Sequence, residues 1–76
     1  MTLFGRNDFR TIQTAMGHRK EIIMYREGSG KRVTVTTHHA PEVWGVPMVV
    51  QARVQQKSME WVQTFSSVED LKEAIK

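Results

Sequence analysis

Apolar and polar residues alternate most regularly across residues 47–65. Met48, Val50, Ala52 and Val54 interleave with Val49, Gln51, Arg53 and Gln55, and Met59, Trp61 and Phe65 continue the apolar set after Gln56-Lys57. A period of two is what a strand with one buried face requires, because successive side chains point to opposite sides. The stretch predicts a β-hairpin. With Gln56-Lys57 as a two-residue turn, Val54 faces Met59, Ala52 faces Trp61 and Met48 faces Phe65. The small Ala52 then fits the large Trp61, and Arg53 meets Glu60 on the other side as an opposite-charge pair.

The same alternation recurs upstream. Residues 21–27 predict a first strand, with Ile22 and Met24 on one face and Ile23 and Tyr25 on the other. Gly28-Ser29-Gly30 is a turn signal, since glycine takes positive φ at little steric cost. Residues 31–37 predict a second strand, rich in β-branched side chains, with Val33 and Val35 inward and Thr34 and Thr36 outward. Inward-apolar, outward-polar strands suit an antiparallel sheet covered on one side. Residues 38–46 are irregular, with Pro41 opening and Gly45 closing a single helical turn.

Helical spacing appears only at the two ends. Phe9, Ile12 and Met16 predict a short helix over 8–16, capped by Asn7 or Asp8 and ended by Gly17. Val68, Leu71 and Ile75 form the stripe of a last helix, started by Ser66 with Glu69 or by Ser67 with Asp70 as a capping box. Lys72 and Lys76 suit its negative end. The order α-β-β-β-β-α predicts one α+β domain over residues 1–76. It is a four-stranded antiparallel β-meander with a short N-terminal helix and a C-terminal helix. The expected core is Phe9, Ile12, Ile22, Met24, Val33, Val35, Met48, Val50, Ala52, Val54, Trp61, Phe65, Leu71 and Ile75.

Length and charge narrow the picture. A chain of 76 residues buries only about 60–65% of the surface its unfolded form exposes. It has no cysteine, so neither disulfides nor thiolate zinc sites can support it. A homodimer would extend such a small core. No apolar run approaches the about 20 residues of a membrane span, and residues 1–6 lack a signal-peptide core. The expectation is a cytoplasmic protein with no membrane partner. The net charge is +3 and the isoelectric point about 9.7. The excess is uneven: residues 1–57 hold nine Lys and Arg against four acids, and residues 58–76 two against four. A basic body fits a polyanionic partner, although the same charge also keeps a small domain soluble.

Candidate chemistry is sparse. Gly28-Ser29-Gly30-Lys31 resembles the end of a phosphate-binding loop. That motif needs glycine where Tyr25 stands and Ser or Thr where Arg32 stands, and it joins a strand to a helix, not two strands. His38-His39 could bind a metal only if His18 and Glu42 came close, and neighbours on a strand diverge. The serines fall at turns and caps, and no strained nucleophile elbow is apparent. Glu21, Glu27, Glu42 and Glu60 would need a cleft that a domain of this size seldom builds. The sequence predicts no enzyme, metal or cofactor.

Two binding readings remain. In a meander the turns at 28–30 and 56–57 lie at one end of the sheet and gather Arg26, Lys31, Arg32, Arg53 and Lys57, with Tyr25 nearby to stack on an unpaired base. This predicts a nucleic-acid-binding module that prefers single strands. The alternative is a small regulator or inhibitor of a protein partner, of the kind phages and mobile elements encode, acting through Trp44, Val43 and Val46 or an exposed strand edge.

Overall fold

The hydrophobic pattern folds as an antiparallel meander with both helices packed against one side. The computed structural model describes residues 3–75; Lys76 lies outside them. The elements are α1 (Arg6–Gly17), β1 (Ile23–Gly28), β2 (Lys31–His39), a 3-10 turn (Glu42–Trp44), β3 (Met48–Gln56), β4 (Met59–Phe65) and α2 (Val68–Ile75). The sheet order is β1-β2-β3-β4, an α+β fold in the expected sequence of elements. No helix of the described residues is long and apolar enough to cross a membrane.

Val33, Val35, Val50, Ala52, Val54 and Phe65 meet Phe4, Ile12, Val68, Leu71 and Ile75 in one buried cluster. Phe9, Ile22 and Met24 are only partly covered. Phe4, Ala15, Val49 and Val68 are buried although absent from the expected core. Phe4 joins because α1 starts earlier than residue 8. Its N-cap is Gly5, whose N–H donates to Asp8 Oδ2 at 3.0 Å, so Asp8 sits inside the first turn and returns half of a capping box. The helix also passes the expected stop at Gly17. Arg19 takes the left-handed conformation (φ 56°), and Lys20 N–H reaches Ala15 O at 2.9 Å while Arg19 N–H reaches Met16 O at 3.2 Å. These are the two bonds of a Schellman end.

β1 begins at Ile23, not at residue 21, because Thr37 replaces the missing pairing. Its buried hydroxyl accepts from Ile22 N–H at 2.8 Å and donates to Lys20 O at 2.7 Å. β2 in turn runs on to His39.

The β3–β4 hairpin has the right faces and a different register. The loop is Lys57-Ser58, and Gln56 pairs with Met59. Val54 therefore faces Trp61, Ala52 faces Gln63, Val50 faces Phe65 and Arg53 faces Val62. The expected Ala52–Trp61 and Arg53–Glu60 pairs do not form. Lys57 adopts positive φ, 55°, which lets so short a loop follow the sheet twist. Trp61 points to the helix side but stays 37% exposed, because β4 is an edge strand and α2 packs mainly over β3. It is not a core residue.

At the start of α2, Ser67 Oγ accepts from Asp70 N–H at 3.3 Å. Of the two expected caps, Ser67 is the one used. Pro41 precedes the 3-10 turn, and Gly45 follows it in the left-handed region (φ 70°).

Candidate functional site

With both helices on one side, the other side of the sheet is left open. The registers set its side chains in rows across the strands. Tyr25, Thr34, Arg53 and Val62 form the central row, flanked by Glu27, Arg32, Gln55 and Glu60 toward the hairpin tips and by Ile23, Thr36, Gln51 and Thr64 on the other side. Between them lies a shallow depression of about 500 Å³.

Within this surface Arg32 holds two partners. Its Nη2 lies 3.0 Å from Glu27 Oε2, and its guanidinium lies 5.4 Å from the centre of the Tyr25 ring. The bond to Glu27 favours the charged guanidinium still further. Gln55 donates to Glu60. Thr36 Oγ1 and His38 Nε2 are 2.8 Å apart. Arg53 is exposed and makes no ion pair or side-chain hydrogen bond among the described residues. The face thus offers a half-exposed aromatic ring with a guanidinium group over it, an unpaired cation, and hydroxyl and amide groups able to donate or accept.

The two hairpin loops do lie at one end, since Lys31 pairs with Gln56. The sheet nevertheless divides the expected cations. Tyr25, Arg32 and Arg53 share the open face, and Lys57 stands in the loop beside it. Lys31 falls on the same side as Val33. Arg26 also turns to the helix side, where Nη2 bonds Asp8 Oδ1 at 2.7 Å and the guanidinium lies 5.7 Å from the Phe4 ring centre. Arg26 thus clamps α1 to β1. The Gly5 N–H, aided by Arg26, holds the Asp8 carboxyl below its ordinary range. Gln55 joins the open face as the alternation of the third strand places it, and His38 joins it unexpectedly. Continuing the alternation of the second strand past Thr37 would have placed His38 there.

The histidine pair meets Glu21, whose Oε2 accepts from His39 N–H at 3.1 Å and lies 3.4 Å from His39 Nδ1 and 4.0 Å from His38 Nδ1. The His39 N–H and the imidazoles lower the Glu21 pKa. Among the described residues no group of three or more His, Cys, Asp or Glu is placed to hold a metal ion. Of the loop residues, Val43 is 88% exposed. Trp44 lines a depression beside Gln63, Thr64 and Phe65, whereas Val46 lines another beside Met16 and Met48.

No protein-family model, curated protein or solved structure matches the chain.

Proposed function

We propose that the protein is a non-enzymatic module that binds single-stranded nucleic acid on its open sheet face. The observation that carries this reading is the combination on that face of the Tyr25–Arg32 cation–π pair with Arg53, a cation without an ion-pair partner among the described residues. An unpaired base can stack on the phenol ring or on the guanidinium plane, and Arg53 with Lys57 can neutralise the adjoining phosphates. Thr34, Thr36, Gln51 and Gln55 offer hydrogen bonds of either sense to bases and sugars. An open sheet face admits a splayed strand more readily than a rigid duplex, whose bases are already stacked.

Fluorescence anisotropy with a labelled single-stranded oligonucleotide tests the reading. With Arg53 and Lys57 each neutralising one phosphate, the logarithm of affinity falls against that of salt with a slope of about −1.4. Tyr25→Ala weakens binding about tenfold or more if a base stacks there. Absence of binding at about 50 mM salt, where phosphate contacts are strongest, refutes the proposal.

The exposure of Val43 and Trp44 favours a second reading, docking of a protein partner on the loop between β2 and β3. In that case Trp44→Ala abolishes recovery of one stoichiometric partner while Arg53→Ala leaves it intact.

A further inference from the structure

The two edges of the sheet are not alike. A hairpin closed by a two-residue loop has a hydrogen-bonded pair next to the loop, and bonded and non-bonded pairs alternate from there. In β4 this turns the N–H and C=O groups of Met59, Trp61, Gln63 and Phe65 toward β3 and those of Glu60, Val62 and Thr64 outward. None of these outward groups receives a side-chain hydrogen bond among the described residues, and Glu60 supplies the one charge on the strand. Met59 (73% exposed), Trp61 and Val62 (43% exposed) lie along it. Free edges usually carry lysine, proline or a bulge against unwanted pairing, and β4 has none. On β1 the corresponding alternation turns the Tyr25 carbonyl outward, and Arg26 Nη1 already occupies it at 2.7 Å. The β1 edge is thus occupied at its central carbonyl, whereas the β4 edge is open along its length.

We infer that β4 pairs antiparallel with β4 of a second copy of the chain, about a two-fold axis at Val62. In this register Val62 faces Val62, and Glu60 faces Thr64, so every outward amide and carbonyl finds a partner. A shift that brings Glu60 opposite Glu60 sets like charges together. Shifting one step either way from the Val62 axis leaves outward groups unpaired. On the helix side Trp61 meets Gln63, whose amide oxygen can accept from the indole N–H, and Met59 meets Phe65. Phe65, Gln63 and Ala74 line a depression of about 540 Å³ flanking β4, which gives the partner's Met59 side chain a place to enter. On β1 the Arg26 side chain at the Tyr25 carbonyl disfavours the same pairing, so the assembly is expected to stop at two copies.

A two-fold axis perpendicular to the sheet keeps both open faces on one side. The central row then runs from Tyr25 through Thr34, Arg53 and Val62 into the same residues in reverse. At the usual strand spacing of about 4.8 Å it spans roughly 34 Å. Combined with the function proposed above, this gives one continuous track for a single strand with two Arg53 cations and two stacking positions. That combination rests on the nucleic-acid reading; the pairing itself does not.

Light scattering in the absence of nucleic acid tests the pairing. The expected mass is twice the 8.8 kDa of the chain at about 100 μM, a concentration that fills any stable dimer. Val62→Lys, which sets two lysines across the axis, yields a monomer with an unchanged circular-dichroism spectrum. The chain has no cysteine, so Val62→Cys adds a single thiol on the axis, and mild oxidation links two copies. Ile23→Cys on the opposite edge stays unlinked. A monomeric wild-type chain, a dimer that survives Val62→Lys, growth beyond two copies, or equal cross-linking through both edges each overturns the inference. Because no oligonucleotide is present, these outcomes are separate from failure of the binding reading.

Discussion

At the residue scale, two polar side chains hold junctions that the apolar core cannot. Asp8 accepts from Gly5 N–H and from Arg26, tying the start of α1 to β1. Its carboxyl pKa is lower folded than unfolded, so the stabilisation is complete above the unfolded value of about 3.9 and is lost as pH falls through the folded value. Asp8→Ala should cost about 1 kcal/mol at pH 7, with the difference from wild type shrinking in acid. Thermal melts of both proteins from neutral pH downward measure this. Thr37 is 1% exposed and satisfies both Ile22 N–H and Lys20 O. Thr37→Val keeps the shape and strands both groups, a loss of about 1–3 kcal/mol by urea denaturation. Neither role was legible beforehand. Asp8 was read as a cap and is a third-position partner of a cap. Thr37 lies at the end of the predicted second strand with nothing to mark its role, because the local sequence does not record which backbone groups lack a partner.

At the scale of elements, periodicity identified every helix and strand but did not fix their ends or pairing. The β3–β4 register shows why. Moving the loop from Gln56-Lys57 to Lys57-Ser58 shifts the partners by two residues and preserves the facing of every side chain. The alternation of Met48, Val50, Ala52 and Val54 is equally satisfied by both. Turn preference alone distinguishes them, and no glycine or asparagine marks this turn. The end of α1 was misplaced for a related reason. Gly17 suggests the left-handed position, yet the helix runs on and Arg19 occupies that position at φ 56°. Arg19→Gly should therefore raise stability by about 1 kcal/mol, read as a higher urea midpoint with unchanged slope. A decrease would mean that the Arg19 side chain contributes contacts outweighing its backbone cost.

For the whole molecule, the decisive feature is that two helices share one side of the sheet. Neither the composition nor the net charge reveals this. It turns a supposed basic rim into two unlike sets, with Arg26 used internally and Arg32, Arg53 and Tyr25 left on the open side. Trp61, on the helix side of the edge strand, stays 37% exposed. Sequence reading located the common end of the hairpins correctly, since meander topology follows from short loops. The same period of two sorts the cations, since Arg26 falls in phase with Ile22 and Met24 and Lys31 with Val33 and Val35; what it does not record is that Asp8 waits for Arg26 on the helix side.

The central claim is that the open sheet face receives a single strand. Titration of ¹⁵N-labelled protein with an unlabelled single-stranded oligonucleotide tests it residue by residue. The account predicts that the largest amide shifts fall on Tyr25, Thr34, Thr36, Gln51 and Arg53, while α1 and α2 stay nearly still. Shifts concentrated on Arg6, Arg10, Arg19 or Lys20, with the sheet face unchanged, would contradict it.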